Sequence, residues 1–347
     1  MKSKNLSEKI LRSVKSKGFK YIELPSVIEA NHIVQRSGEN FRKFMFSFTD
    51  INGKELCLRP DLTIASCLRY LEGNFKGKEK IFYSGQAYRK VESKRDKIIR
   101  NQVGFEILGS KDEKNDDKEI INTSLKILQD FKFSSGTLTI GNIEIFNLLI
   151  SKLDIPKRWK LRLSRHFWRE EYFNDLLKRL ETNADIDPTI VEIDKKRYLD
   201  LLNKNPETMI AGRSVGEILK RFDTKIKDPR QAKRGNKVSK IIKSFLKISC
   251  PINKAAMELN KFFKKNKINL VVDQRYFPIS SNKLSKLNVK FSTSFGRHLE
   301  YYSGMVFKID VKSKSTTIKC AGGRYDRLIS DLGSKKQVPA VGAAFNL

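Results

Sequence analysis

The first apolar positions, Leu6, Ile10, Leu11 and Val14, recur at helical spacing, and Gly18 follows where such a helix would end. The next apolar run, YIELPSVIE (Tyr21 to Glu29), reads as a strand closed by Pro25. FMFSFTDINGKELCLRP alternates apolar and polar residues on both sides of Ile51-Asn52-Gly53. Asn and Gly tolerate the positive φ of a tight turn, so this run predicts a β-hairpin. KIFYSGQAYRKVE and NQVGFEILG predict two more strands, paired antiparallel across a basic loop. Ile120, Ile121, Leu125 and Leu128 mark an amphipathic helix, with Asp116 and Asp117 near its start where the helix dipole favours negative charge.

From about Ile143 the pattern turns helical, with turn signals at Pro156, Pro188, Pro206 and Pro229. Strand character returns at INLVVD, and the last sixty or so residues read strand, strand, strand, helix, strand. Strands at both ends must pair with each other to hide their apolar faces. The expected fold is therefore α+β: a single domain over residues 1–347 with an antiparallel sheet flanked by helices, carrying a helical insertion at approximately 143–265.

Composition narrows the class. Hydrophobic residues make up 39% of the chain and charged residues 31%. No stretch approaches the roughly 18 uninterrupted apolar residues of a membrane span. The charged N-terminus has no apolar core of a secretory signal. Cys57, Cys67, Cys250 and Cys320 are scattered without CxxC spacing, which argues against a zinc site or disulfide framework and for a reducing cytoplasm. His32, His166 and His298 have no metal-ligand spacing, so neither a metal nor a cofactor is expected. The balance of 70 Lys and Arg against 39 Asp and Glu, a formal +31, invites a nucleic-acid partner. Basic residues nevertheless recur along the whole chain. The densest run, Lys225 to Lys243, lacks the interleaved aromatics of a base-stacking platform, so nucleic acid is not the expected main partner.

Chemistry-bearing groups concentrate in LRPDLT (Leu58 to Thr63), AYRKVE (Ala87 to Glu92), NQVGFE (Asn101 to Glu106) and GRHLEYY (Gly296 to Tyr302). Gln102 and Glu106, four apart on a strand, share a face. AGGRYDRL (Ala321 to Leu328) lacks the spacing of a phosphate loop, and its glycines read as a strand-to-helix turn. RSGEN (Arg36 to Asn40) reads as a polar loop that closes over a ligand.

Together these segments resemble the catalytic fold of the histidyl-tRNA synthetases, class II enzymes, over most of residues 8 to 110 and 268 to 345. Within that superfamily the chain most resembles the ATP phosphoribosyltransferase regulatory subunits, histidine-biosynthetic paralogues of the synthetase. Asp61 in Arg59-Pro60-Asp61-Leu62-Thr63 stands where the synthetases have Glu, and the helical middle, including SVGEILKRF, is closer to the paralogue's insertion. The resemblance implies a histidine pocket. Asp61, Thr63 and Gln102 would accept from the α-ammonium, Arg89 and Arg297 would meet the carboxylate, and Glu106 and Tyr302 would read the imidazole. Tyr301, adjacent to Tyr302 and so expected on the opposite face, would pack.

Departures from the synthetase pattern set the expected activity. The ATP-gripping loop is one residue short as VESKRDKIIR, although Arg95 or Arg100 remains within it. The synthetase's later ATP-contacting arginine and its anticodon-binding domain would follow the strand that ends near Leu347, and the expectation is that this protein lacks both. The resemblance then implies a cytoplasmic, non-catalytic regulatory subunit of histidine biosynthesis that binds L-histidine for allosteric feedback. Its partners would be the short-form ATP phosphoribosyltransferase catalytic subunit and a second copy of itself, joined near Pro25 as a homodimer within a hetero-oligomer. Two rival readings are a truncated synthetase-like ligase and a synthetase-derived RNA-binding module.

Overall fold

The computed structural model describes residues 3–37, 39–73, 77–91, 97–131, 135–182, 188–227, 232–279, 287–296, 301–312 and 317–347. The chain opens with α1 (Ser3–Lys15), β1 (Lys20–Tyr21), β2 (Val27–Glu29), α2 (Ala30–Ser37), β3 (Ser47–Thr49) and β4 (Glu55–Leu58). It continues through α3 (Leu62–Glu72), β5 (Glu79–Tyr88), β6 (Ile99–Leu108), α4 (Glu113–Gln129) and β7 (Ser135–Asn142). Then come α5 (Ile143–Lys152), α6 (Lys157–Arg165), α7 (Glu170–Glu181), α8 (Pro188–Leu202), the short strands β8 (Met209–Ile210) and β9 (Arg213–Ser214), α9 (Val215–Lys227) and α10 (Ala232–Phe245). The last part holds β10 (Ser249–Pro251), α11 (Ala255–Lys265), β11 (Leu287–Ser292), β12 (Met305–Lys312), β13 (Thr317–Arg324), α12 (Leu328–Asp331) and β14 (Ala340–Asn346). Backbone contacts divide the chain into one unit of Met1–Ile145, Ser249–Glu258 and Val272–Leu347, and another of Phe146–Ile248 and Leu259–Val271.

The first unit is built on a nine-stranded sheet of order β1-β5-β6-β14-β13-β12-β7-β11-β10. Strands β5 through β7 in that order pair antiparallel, as the alternating patterns predicted. Parallel neighbours appear outside them, β1 on β5 and β11 on β7, so the sheet is mixed. The reason lies in the connections: long crossovers with helices separate those strands in sequence, which is what a parallel pairing needs. Strand β14 lies between β6 and β13, so the two ends of the chain do pair.

The two faces of this sheet differ in bulk. Phe82, Phe105, Phe307 and Phe345 point to the side on which α1 and α4 pack, with Phe105 stacked on Phe345 at 6.3 Å and edge-on to Phe19 at 5.5 Å. On the other side the central strands present Gly104, Gly342, Ala344, Gly323 and Ala321, a floor of small residues next to α3. Large side chains arriving from elsewhere therefore have room to lie across it.

The predicted hairpin forms as β3 and β4, with Gly53 at φ +79°, and β2 joins it in a three-stranded sheet. YIELPSVIE is not one strand. It splits into β1 and β2, which belong to different sheets. Pro25 has no N–H to offer a ladder, and the carbonyls of Leu24 and Pro25 instead accept from the buried guanidinium of Arg59, at 2.6 and 2.9 Å. Arg59 Nε donates to the Gln86 carbonyl at 2.9 Å, and Gly85 leaves the space in which the guanidinium sits. INLVVD also departs from the strand reading. The Leu270 N–H turns back to the Ile268 carbonyl at 2.9 Å, and Val271 is exposed with no partner strand among the described residues.

Among its described residues the second unit is helical apart from the β8–β9 ladder, and its interior is aromatic: Phe146 stacks on Phe167 at 3.7 Å, meets Phe173 edge-on and lies 6.3 Å from Phe245, and Trp159 is also buried. Among the described residues no helix is long and apolar enough to cross a membrane.

Arg59→Met should destabilise the protein by about 3 kcal/mol, because three carbonyls lose a buried charged donor together. The urea midpoint should fall with little change in the slope. A midpoint within error of wild type would mean that water reaches those carbonyls.

Candidate ligand-binding site

Glu106, on β6, is the buried charge around which the site is organised, with only 1% of its surface exposed. Its Oε1 accepts from the Tyr83 hydroxyl at 2.5 Å and more weakly from Thr63 Oγ1 at 3.4 Å, while Oε2 accepts from the Tyr325 hydroxyl at 2.5 Å. Burial pushes the Glu106 carboxyl up to about 7, against these hydrogen bonds, which pull it down. A carboxylate offers about four lone-pair positions, and hydroxyls of the described residues occupy three of them.

Glycines make the arrangement possible. A Cβ on Gly342, opposite Glu106 in the ladder, would fall 1.2 Å from Oε2, and one on Gly104 would strike the Tyr83 ring at 2.4 Å. The glycines of AGGRYDRL act the same way. Gly322 and Gly323 lie within β13 and not in a strand-to-helix turn, and a Cβ on Gly323 would crowd the Tyr302 ring at 2.9 Å.

Asp61 and Thr63 reach the site through α3. Asp61 caps the helix, its Oδ1 accepting from the Ile64 N–H at 3.1 Å, and Oδ2 lies 3.8 Å from Arg89 Nη2. Arg89 is held by the Pro60 carbonyl at 2.7 Å and lies over the Phe41 ring. Tyr301 and Tyr302 do not face opposite ways as adjacent strand residues would. They precede β12, outside a strand, and both pack on one apolar cluster with ring centroids 4.9 Å apart. Burial, with the charges of Asp61 and Glu106, holds both phenols above their usual range.

Gln102 shares the face of Glu106 but stands apart from it. Four residues of strand separate them by about 13 Å, and Gln102 Nε2 donates to Asn346 Oδ1 at 2.7 Å in an exposed position. Arg297 and His298, like Arg95, lie outside the described residues, as do the side chains of the whole RSGEN segment. Among the described residues no group of His, Cys, Asp and Glu has the arrangement of a metal site.

The tyrosines are clasped from behind. Ser303 Oγ donates to Asp326 Oδ2 at 3.2 Å and accepts from the Asp326 N–H at 3.0 Å, so the residue after Tyr302 is tied to the residue after Tyr325. Arg324 anchors this clasp to α4 through Asp117 at 2.7 Å, Asp326 at 2.9 Å and the Glu113 carbonyl at 2.8 Å.

A family model described as histidyl-tRNA synthetase matches residues 1–347. The chain belongs to that family. The further resemblance to ATP phosphoribosyltransferase regulatory subunits also holds. A relative of that name from Agrobacterium fabrum is 27% identical over 338 residues, covering 92% of this chain and 89% of its own. Among solved structures, an ATP phosphoribosyltransferase regulatory subunit/histidyl-tRNA synthetase from Bacillus halodurans aligns with TM-score 0.57 and 20% identity, over 99% of this chain and 76% of that one. A chain of the HisG:HisZ ATP phosphoribosyl transferase complex from Thermotoga maritima aligns with TM-score 0.54 and 18% identity, over 100% and 98%. Those two likenesses establish the class II synthetase-like fold.

Within this synthetase-family site, Tyr83 and Tyr325 escaped the sequence reading. Tyr83 looks like one more aromatic on an apolar strand, and Tyr325 follows glycines that drew attention to the backbone. A tyrosine two residues from a glycine on a strand, facing a buried carboxylate, is the signal available in retrospect.

The raised Glu106 pKa makes stability depend on pH. The unfolded carboxyl releases its proton near 4.5 and the folded one near 7, so the native state holds more protons in between. This stabilisation is complete below pH 4.5, declines as pH rises and is gone above about 7. Glu106→Gln should remove a pH dependence worth about 3 kcal/mol across that window. Denaturation curves of both proteins from pH 4 to 8 should run parallel if Glu106 titrates normally.

Proposed function

We propose that this protein is a non-catalytic regulatory subunit of ATP phosphoribosyltransferase that binds L-histidine in the Glu106 site. The observation that carries the regulatory reading is a likeness along nine-tenths of both chains to relatives bearing that name. The ligand is argued from chemistry. An imidazole N–H is a donor of the kind the Glu106 carboxylate accepts, and the paired Tyr301 and Tyr302 rings, 4.9 Å apart, supply an apolar wall for the ring. Asp61 supplies a negative charge for an α-ammonium, and Arg89, 3.8 Å away, supplies the opposite charge for a carboxylate. Thr63, two residues after Asp61 in the chain, reaches Glu106 Oε1 at 3.4 Å.

The same reading takes approximately 143–265 as the helical insertion of a single synthetase-like domain, and the compact unit of Phe146–Ile248 and Leu259–Val271 supports it. It also places the protein in the cytoplasm, as a homodimer joined near Pro25 within a hetero-oligomer with the short-form catalytic subunit. Histidine then acts through differential affinity for two states of that assembly.

Calorimetry should detect L-histidine binding, and Glu106→Gln should weaken it roughly tenfold or more, as expected for losing one buried charged hydrogen bond. Histidinol lacks the carboxylate and should bind more weakly than histidine, and Arg89→Met should not weaken histidinol further. Mixing with a short-form catalytic subunit should raise transferase activity, and histidine should then suppress it. Pyrophosphate exchange dependent on histidine should stay at background; a robust signal would instead assign a ligase. Equal histidine affinity in wild type and Glu106→Gln would remove the pocket while leaving the assembly to be judged by transferase activity.

A further inference from the structure

The second unit gathers positive charge that the Glu106 site does not use. On α10, Lys233, Lys237 and Lys240 recur four and three residues apart, which puts them on one exposed face. Where that face meets the end of α11 there is a cavity of about 330 Å³, whose walls include Lys237, Lys240, Ser244, Lys265, Asn266 and Lys267. Among the described residues four lysines line it and no Asp or Glu does. An adjoining cavity shares Lys237 and Lys240 and contains Glu181, but that carboxylate already accepts from Lys243 and from Ser239 Oγ. Like charges held together repel, and among the described residues the opposite charge that acts on them is Glu181, felt by Lys240 from the adjoining cavity.

The backbone supplies a second, independent sign. Helix α11 ends with the Ile268 N–H bonded to the Phe263 carbonyl at 2.9 Å and the Lys267 N–H bonded to the Lys264 carbonyl at 3.1 Å. This termination puts one residue in the left-handed region, a position glycine usually fills because a Cβ there crowds the carbonyl that follows. Here it is Lys267, at φ +56°, and its side chain joins the cavity wall. General lysine enrichment accounts for exposed lysines along helix faces. It gives no reason to gather four in one concavity or to hold one of them in a strained backbone, and strain kept in this way points to use.

We propose that this cavity binds a small molecule carrying several phosphate groups. Ammonium groups are compact, mobile point charges suited to clustered phosphate oxygens, whereas forked carboxylate recognition calls for arginine. Ser244 and Asn266 add neutral donors. The volume corresponds to about ten water molecules, the scale of a small ligand. No aromatic side chain lines the cavity, so it recognises charge and not a nucleobase.

Inorganic triphosphate is the probe, titrated into the full chain at low salt by calorimetry and by thermal shift. Binding is expected, with a rise in Tm, and it should weaken steeply as KCl is added. The double variant Lys237→Gln, Lys240→Gln should lose about a hundredfold in affinity, two charged contacts at roughly tenfold each. Lys267→Gly should separate function from packing: relief of the left-handed lysine should raise the Tm of the free protein while triphosphate binding weakens. L-Histidine binding should be unchanged in both variants, which keeps this test distinct from that of the Glu106 site. Absence of triphosphate binding, or unchanged binding in the double variant, overturns the proposal. So does tight binding of duplex RNA that triphosphate fails to compete, which would assign the surface to nucleic acid.

Discussion

The ladder that sets Glu106 of β6 against Gly342 of β14 is the constraint on which the site depends. A buried carboxyl is tolerable only with hydroxyls to satisfy it, and each hydroxyl comes from a different element: Thr63 from α3, Tyr83 from β5 and Tyr325 from the turn after β13. Their convergence requires the sheet to be nearly bare beneath them, and the glycines at 104 and 342 make it so. Replacing either would displace a side chain that the carboxyl needs, so the small residues and the polar cluster form one device.

That device is also joined to the opposite face of the sheet. Arg324 and Tyr325 are consecutive, yet one binds Asp117 of α4 and the other binds Glu106. The Ser303–Asp326 clasp connects the segment carrying Tyr301 and Tyr302 to the same turn. The turn that brings Tyr325 to Glu106 thus has its other anchor on a helix beyond the sheet. Packed interiors transmit displacements because they have little slack, so a shift of the Glu106 carboxyl has a physical route to α4.

Much of the architecture was legible from hydrophobic period. The hairpin around Gly53, the β5–β6 pair, α4 and the helical middle each follow a local pattern that tertiary packing reinforces. What escaped was set at long range. YIELPSVIE looks continuous until the Leu24 and Pro25 carbonyls are seen bound to Arg59, more than thirty residues away. INLVVD has the composition of a strand but no neighbour to pair with, and strand preference is realised only in a ladder. In the site, charged and amide groups stood out because they are chemically distinctive, whereas Tyr83 and Tyr325 are distinguished only by what they touch. The reading of Tyr301 and Tyr302 failed for a plainer reason: alternation of faces holds only inside a strand, and they lie outside one.

The place of β14 has a consequence for the making of the protein. Gln102 and Asn346, 244 residues apart in sequence, are joined side by side in the middle of the sheet. Until β14 has emerged from the ribosome, β6 and β13 each present an unpaired edge, and unpaired edges invite pairing with other chains. At about 5–20 residues per second the interval between synthesis of β6 and of β14 runs to tens of seconds at the slower rates. Nascent chains therefore spend that time with the nine-stranded sheet open at its centre, and protection by a chaperone during translation would govern yield more than the stability of the finished fold.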